Sequence, residues 1–311
     1  MKVLVTGANG FIGKELVKHL ISSMQYDVLC LVRSNDAAYM LKSKGLECIV
    51  KDITDREGLI DSLKRVDVEA VFHLASLNPL VKGKNKHYRV NIEGMRNLID
   101  ALSNTNVKTI VYAQGLGVYG DVKGSLIDEH SSYNPSNWFT RMRSAAEHIL
   151  VDACKRYGFS INIAVLGDVY GNGGWFKDVV IGRLNNGTFR IPGSGNYYRC
   201  FIHVYDAARA LEAILSKAKS YDKVIVCDDE PCMFKDFIYY TADLLKVKRP
   251  TSVPLFIAKL FLGSSIVDTL TASVRAKNDR LRSFLDLKYP NYRIGVKEVI
   301  DEMNSRASTA F

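Results

Sequence analysis

The sequence predicts an α/β fold built on a doubly wound parallel sheet, with a smaller, mainly helical lobe at its C-terminal end. Short runs rich in Val and Ile alternate with longer helical patterns through the first half of the 311-residue chain. The first run leads directly into a glycine-rich turn that opens a helix, and beyond Gly171 the alternation gives way to Gly and Pro punctuation. Continuous apolar strands alternating with helices are typical of a parallel sheet covered on both faces.

Each element follows from these patterns in chain order. Strands are predicted at the runs KVLVT, DVLCLV, ECIV, EAVFHLA, TIVYA, SINIAVL and KVIVC. Helices are predicted over about 10–22, 37–44, 55–65, 88–103, 138–157 and 206–217, and mainly helical structure follows from Glu230. These elements suggest a dinucleotide-binding Rossmann domain over 1–170, to which 201–228 returns, and a substrate-binding lobe formed by 171–200 and 229–311.

Composition excludes several classes of protein. The net charge of +9 comes from basic residues dispersed along the chain without a nucleic-acid-binding motif, so we expect an anionic small molecule rather than a nucleic acid as partner. The six cysteines lack metal-ligand spacing, so we expect no metal site and reduced thiols. The longest apolar stretch, VPLFIAKLFLG from Val253, is interrupted by Lys259 and is shorter than the roughly 20 residues that span a bilayer. No secretory signal is recognisable, so we expect a cytoplasmic protein without membrane partners.

The strongest motif is Thr6-Gly7-Ala8-Asn9-Gly10-Phe11-Ile12-Gly13, which follows a strand and opens a helix. Gly7 allows a tight turn, Gly10 lets the backbone approach a pyrophosphate, and Gly13 lets the helix pack closely. The helix N-terminus adds amide donors and a positive dipole. The motif therefore predicts a dinucleotide site.

At this point the sequence resembles the extended short-chain dehydrogenase/reductase superfamily, in its NAD(P)-dependent epimerase/dehydratase branch. The resemblance covers nearly the whole chain through TGANGFIG at Thr6, KDITD at Lys51, HLAS at His73, VNIEG at Val90, VYG at Val118, DVYG at Asp168 and FIHVYD at Phe201. It implies that the glycine turn holds the pyrophosphate, that Asp52 and Ile53 lie against adenine, and that Leu74 and Ala75 run beside the nicotinamide. The implied cofactor-binding residues are Gly7, Asn9, Gly10, Phe11, Ile12, Gly13, Arg33, Asp52, Ile53, Leu74, Ala75 and Ser76.

The choice of cofactor depends on the end of the second strand. Folds that prefer NAD carry an Asp or Glu there, whereas this sequence reads Cys-Leu-Val-Arg-Ser-Asn with Arg33 near the position of a 2′-phosphate. The sequence therefore favours NADP. The alternative is NAD, with Arg33 as a solvated residue after a strand.

The resemblance fails at the catalytic positions. The family uses a Tyr-x-x-x-Lys pair on one helix, in which Lys helps to lower the Tyr pKa and Tyr relays a proton. Taking Glu147 as the Glu that normally follows places Arg143 at the Lys position and Phe139 at the Tyr position. The usual Ser or Thr falls on Gly115. Phe139 cannot donate a proton and Arg143 stays charged, so the ordinary relay is missing.

Four other residues are candidate substitutes for the proton donor, each with a structural alternative. Tyr119 would otherwise pack its loop, His203 would be a hydrogen-bonded strand residue, and His73 a core histidine. Gln114 would be a polar strand end.

Basic residues suggest where an anionic substrate binds. The loop from Pro79 to Arg89 follows the fourth strand, at the carboxyl end of the sheet. The candidate substrate-binding residues are Lys82, Lys84, Lys86, Arg141 and Arg199, and we expect Arg143 to join Arg141 and the loop around a phosphate. A nucleotide-sugar, a sugar phosphate or a coenzyme A ester would supply the phosphate, and the alternative is a solubilising loop.

Two functions remain open on the sequence. The first is an oxidoreductase or epimerase of altered mechanism acting on a sugar-like or other hydroxyl/keto substrate. The second is a catalytically silent NADP(H)-binding sensor or assembly protein. The resemblance also implies a homodimer through the helices near 88–103 and 138–157.

Overall fold

The computed structural model describes residues 1–77 and 79–308, with side chains to residue 305. The first 115 residues alternate strands and helices, with a π-helical turn at Arg89–Glu93 between the last two helices. The elements are β1 (Lys2–Thr6), α1 (Phe11–Ser23), β2 (Asp27–Val32), α2 (Asn35–Lys42), β3 (Glu47–Val50), α3 (Arg56–Leu63), β4 (Ala70–His73), α4 (Lys84–Tyr88), α5 (Gly94–Leu102) and β5 (Thr109–Gly115).

The rest of the chain adds three long helices, two further strands of the main sheet and many shorter elements. They are β6 (Leu126–Ile127), α6 (Trp138–Tyr157), β7 (Ser160–Leu166), β8 (Asp168–Tyr170), α7 (Gly182–Asn185), β9 (Ile191–Pro192), β10 (Tyr198–Arg199), β11 (Phe201–His203), α8 (Val204–Lys217), β12 (Lys223–Val226), β13 (Cys232–Met233), α9 (Phe234–Leu244), β14 (Ser252–Val253), α10 (Leu255–Leu262), α11 (Ser264–Thr271), β15 (Arg275–Ala276), α12 (Asp279–Arg282) and α13 (Tyr292–Ser308). A 3₁₀ turn covers Leu116–Tyr119 and a π-helical turn covers Phe176–Ile181.

The central sheet is parallel and has seven strands in the order β12-β7-β5-β4-β1-β2-β3. The chain therefore runs outward from β1 in one direction and from β4 in the other, so the two strands flank the switch point where such sheets bind ligands. Thr6 at the end of β1 pairs with Leu31 on one side and with His73 on the other. The predicted α/β fold class is confirmed.

The structure divides into two compact units. The first contains 1–114, 138–165 and 208–224, and the second contains 115–137, 166–207 and the described residues from 225 onward. Aromatic and aliphatic residues together form a core of the second unit, where the rings of Phe201 and Phe237 stack with centroids 3.9 Å apart. Segment 115–137, which was predicted to lie in the dinucleotide domain, groups with the second unit because its strand β6 pairs with β15.

Three other features of the fold bear on the sequence predictions. The basic loop after β4 contains helix α4, so helical structure begins at Lys84 rather than near Tyr88. All six cysteines are free thiols, and burial raises the pKa of Cys30 to about 12. Across residues 1–77 and 79–308, no helix combines the length and hydropathy needed to cross a membrane.

Candidate functional site

The glycine turn after β1 is built so that side chains are excluded. Gly7 adopts a φ of +68°, and a Cβ added to it would lie 3.0 Å from the backbone nitrogen of Ala75. A Cβ on Gly13 would collide with the carbonyl oxygen of Gly7. No side chain caps the N-terminus of α1. The structure therefore brings the predicted turn against the backbone of the β4 end, and the groups present fit a dinucleotide pyrophosphate.

Thr6 joins the two strands at the switch point. Its hydroxyl oxygen accepts hydrogen bonds from the amides of Leu74 and Ala75, both at 3.1 Å. With its oxygen used in this way, Thr6 donates its proton to Nδ1 of His73 at 2.8 Å. Burial and the nearby Arg143 lower the pKa of His73 to about 3, so this ring is neutral at physiological pH. The sequence placed Thr6 in the motif but gave no signal for this cross-strand role.

The residues predicted on the adenosine side lie at the ends of β2 and β3. Arg33 directly follows β2 and is exposed, and Ser34 caps α2 through the amide of Ala37. Asp52 accepts hydrogen bonds from the amide and hydroxyl of Thr54 at 2.8 and 2.7 Å. Ile53 is buried. The other implied cofactor residues differ in exposure: Asn9, Gly10 and Ser76 are exposed, whereas Phe11, Ile12, Leu74 and Ala75 are half-buried.

Arg143, which the sequence predicts at the lysine position of the family, is buried in a polar network of the first unit. Its guanidinium donates to Oδ1 of Asn91 at 3.0 Å and to the carbonyl of Ala113, and lies 5.0 Å from the ring centroid of Tyr112. The amide of Gln114 donates to Glu147 at 2.8 Å and to the carbonyl oxygen of Arg143 at 3.1 Å. Arg143 thereby links helix α6 to the end of β5.

Phe139, which the sequence predicts at the tyrosine position of the family, is half-buried one helical turn before Arg143. Its ring meets His87 edge-on at 5.5 Å and Trp138 edge-on at 5.8 Å. His87 is fully buried, and its Nε2 lies 2.8 Å from the carbonyl of Val81. Phe139 thus sits in an aromatic cluster that fixes helix α4 against α6 and supplies no proton.

The predicted anion-binding residues differ in their surroundings. Lys82, Lys84, Lys86 and Arg141 are exposed, and the Lys84 ammonium lies 5.9 Å from the ring centroid of Trp138. Arg199, in the second unit, is held by the protein itself. Its guanidinium forms a bidentate ion pair with Asp168 at 2.6 and 2.7 Å and also donates to the carbonyls of Thr269, Leu270 and Ala272.

The remaining candidates belong to the second unit. Gly115 is exposed, and no described atom lies within 4 Å of a Cβ added there, so a serine would fit. Tyr119 is fully buried and packs edge-on against Tyr133 with centroids 4.9 Å apart. His203 accepts a hydrogen bond from the amide of Tyr205 at 3.2 Å, and burial with nearby Lys288 lowers the pKa of His203 to about 3. These contacts fit structural roles for Tyr119 and His203.

Comparison with known proteins identifies the family. The model of the NAD-dependent epimerase/dehydratase family matches residues 3–227, which include the glycine turn, Phe139, Arg143 and the FIHVYD segment. The chain belongs to this family. A 3-diazoavenalumate denitrifying reductase from a Streptomyces species is 28% identical over 311 residues, covering 95% of this chain and 99% of its own.

Solved structures agree with this assignment. The protein MoeE5, in complex with UDP-glucose and NAD, is 26% identical, covers 99% of this chain and 100% of its own, and superposes with a TM-score of 0.81. A human epimerase family protein with NADPH is 19% identical, covers 97% of this chain and 99% of its own, and has a TM-score of 0.80. Structural neighbours of this family member therefore bind either NAD or NADPH.

Proposed function

We propose that the chain binds NADP(H) and acts as an oxidoreductase or epimerase on a sugar-like or other hydroxyl/keto substrate, without the tyrosyl proton relay of its family. The observation that carries the proposal is the glycine turn, where side chains are excluded at Gly7 and Gly13 and the β4 backbone approaches closely. When bound, the cofactor supplies or accepts a hydride. The chain's contribution is to hold its pyrophosphate on the amides of α1 and its nicotinamide side along Leu74 and Ala75.

Arg33 supports the preference for NADP. It is exposed directly after β2, where a guanidinium can meet a 2′-phosphate, and no carboxylate of the described chain forms an ion pair with it. A charge-assisted hydrogen bond contributes about 1.5 to 3 kcal/mol, or roughly 10- to 100-fold in affinity. The NADPH-bound human neighbour supports the same reading, whereas the NAD-bound MoeE5 supports the alternative.

The substrate class follows from charge and from the relatives. The exposed Lys82, Lys84 and Lys86 offer an anionic group a basic surface beside β4, and MoeE5 binds the sugar nucleotide UDP-glucose. Because Arg199 is already paired with Asp168, we assign most of the anion-binding energy to the lysines. We also propose a cytoplasmic homodimer formed through α5 and α6.

A specific observation favours the silent alternative. Phe139 has no proton to give, the Arg143 guanidinium is bound by Asn91 and Ala113, and the buried imidazoles of His73 and His203 are neutral. Loss of a positioned general acid typically lowers a rate by about 10² to 10⁴. Water or a substrate group would then have to supply the proton, and a sensor or assembly role would need none.

Calorimetric titration with NADPH, NADP, NADH and NAD tests the cofactor assignment. Arg33→Ala is expected to weaken the binding of NADPH about 10- to 100-fold and to leave NADH unchanged. The matched control is Arg65→Ala, since Arg65 is also exposed and follows α3 rather than β2. Equal affinities of the unaltered protein for NADPH and NADH would refute the NADP preference.

Turnover separates the enzyme from the silent protein. NADPH oxidation is measured against a panel of keto-sugars, nucleotide-linked keto-sugars and small ketones, with NADPH binding confirmed first in the same preparation. Oxidation above the rate without substrate supports the oxidoreductase, while epimerisation is followed by chromatography of the sugars. Tight NADPH binding without either reaction supports the silent alternative.

A further inference from the structure

Helix α10 presents an apolar surface that the proposed function does not use. It is formed by the stretch that sequence analysis identified as the longest apolar run. The side chains of Phe256, Leu260 and Phe261 are 73%, 82% and 76% exposed, and we call these three residues the α10 face. Within the helix only Ala258 is fully buried. Exposed apolar surface of this kind marks an interaction site.

Basic side chains lie next to the α10 face. Residues 246–263 contain four basic residues and no acidic one. Arg190, Lys248 and Arg249 line a shallow cavity of about 180 Å³ that also includes Thr251, four residues before the start of α10. Arg249 is paired with Asp243, and Lys259 of the helix is paired with Asp268. The exposed Lys246 and Lys248 form no ion pair within the described part of the chain, so this edge carries net positive charge.

The backbone holds α10 beside this cavity. Strand β14 pairs in parallel with β9, with Ser252 opposite Ile191 and Val253 opposite Pro192. The amide of Gly193 donates to the carbonyl of Val253 at 2.8 Å. Only Pro254 separates β14 from α10, so the backbone fixes the start of the helix close to the segment that lines the basic cavity.

We propose that this surface docks on an anionic lipid membrane, with the α10 face entering the interface and the neighbouring basic side chains meeting lipid phosphates. Exposed Phe and Leu side chains bind a membrane interface by burying apolar area, and neighbouring Lys and Arg side chains add attraction to anionic lipids. The proposal departs from the sequence-based expectation of no membrane partner, which rested on the lack of a spanning helix, because such docking requires none. A second copy of the chain fits less well, because a two-fold contact through this surface would bring Lys246 and Lys248 of both copies together.

Co-sedimentation of the full chain with vesicles tests the proposal. Vesicles of phosphatidylcholine mixed with phosphatidylglycerol are expected to bind the protein, and pure phosphatidylcholine to bind it far less. The variant Phe256→Ser/Leu260→Ser/Phe261→Ser is expected to lower the partition coefficient by about 100-fold or more. Lys246→Ala/Lys248→Ala is expected to lower it about 25-fold and to reduce its salt dependence. The matched control is Tyr39→Ser/Met40→Ser, which alters exposed apolar residues on α2.

The outcomes are distinguishable. Because the three altered residues of α10 are exposed, the triple variant should keep its melting temperature and its NADPH affinity, and these are measured in parallel. Binding lost in the triple variant but kept in the α2 control supports the proposal. The absence of sedimentation with anionic vesicles overturns it, as does equal sedimentation of the triple variant. A dimer in light scattering that the triple variant abolishes, without vesicle binding, would assign the surface to a second copy and also overturn it.

Discussion

Replacing Arg143 tests whether this buried residue, predicted at the lysine position of the family, has a structural role. Its guanidinium makes hydrogen bonds to Asn91 and Ala113 and lies 5.0 Å from the ring centroid of Tyr112. A hydrogen bond from a charged donor contributes about 1.5 to 3 kcal/mol, and a cation–π contact about 0.5 to 2 kcal/mol. Arg143→Met leaves two buried neutral acceptors without this donor, at about 1 to 3 kcal/mol each, so we expect a loss of about 2 to 6 kcal/mol.

Arg143→Lys should lose less, because an ammonium keeps the charge and can reach one of the two acceptors. We expect a loss of about 1.5 to 3 kcal/mol, since one charge-assisted hydrogen bond and the planar stacking disappear. The free energy of unfolding is measured by urea denaturation followed by circular dichroism. The control is Arg141→Lys, an exposed position on the same helix, for which the change should stay below about 0.5 kcal/mol.

A double-mutant cycle with Asn91→Ala isolates the contact itself. Asn91 is buried, and its amide also donates to the carbonyl of His87 at 2.9 Å, so the single substitution costs stability by itself. The coupling energy between Asn91 and Arg143 should nevertheless be about 1.5 to 3 kcal/mol. If the two losses simply add, or if Arg143→Lys is as stable as the unaltered protein, the structural role assigned to Arg143 is wrong.

Three further predictions concern chemistry, charge and pH. Phe139→Tyr with Arg143→Lys should restore a proton relay and raise the rate of NADPH-dependent reduction of keto-sugars by up to about 10²- to 10⁴-fold. Adding Gly115→Ser should raise the rate further, because a Cβ fits there, and unchanged rates in all folded variants would contradict this prediction. Changing Lys82, Lys84 and Lys86 to Ala should weaken the binding of a phosphorylated ligand and reduce the dependence of its affinity on salt concentration, with Lys42→Ala as the control. An unchanged salt dependence would show that the basic loop after β4 is an ordinary solvated segment. Because the folded-state pKa of His73 is about 3, the free energy of unfolding should fall as pH falls from about 6.5 toward 3, by up to about 1.4 kcal/mol per pH unit. His73→Asn, which keeps an acceptor for Thr6, should reduce this pH dependence of the unfolding free energy in urea denaturation, and an equal pH dependence in both proteins would show that His73 is not held neutral.

Most of the fold could be predicted because the sheet follows from local patterns. The runs KVLVT, DVLCLV and SINIAVL correspond to β1, β2 and β7 with the predicted bounds, since continuous apolar runs of this length have few other stable conformations. Helix α6 also has its predicted bounds, Trp138–Tyr157. The grouping of 115–137 with the second unit was not predictable, because it depends on pairing between β6 and β15, which lie far apart in sequence and have two residues each.

In the candidate site, too, features set by neighbouring residues were predictable and those set by distant residues were not. The glycine turn was predictable, since its conformation is set by the glycines themselves and by the strand before them. The partners of Arg143 were not predictable, because Asn91 and Ala113 lie 52 and 30 residues away and approach it only in the folded protein. The same applies to Arg199, a predicted substrate-binding residue that the structure pairs with Asp168.

The glycine turn and the positions of Phe139 and Arg143 differ in which residue types they can accommodate. At Gly7 and Gly13 a side chain would crowd neighbouring backbone atoms, so replacing either glycine would disturb the turn. At Phe139 and Arg143 the side chains point into an aromatic cluster and a hydrogen-bond network that new residue types can satisfy, as they do here. The predicted loss of the proton relay is therefore compatible with an intact fold and an intact glycine turn. Because Arg143 now joins α6 to the end of β5, restoring lysine costs stability before it can return activity, and the two effects must be measured in the same variants.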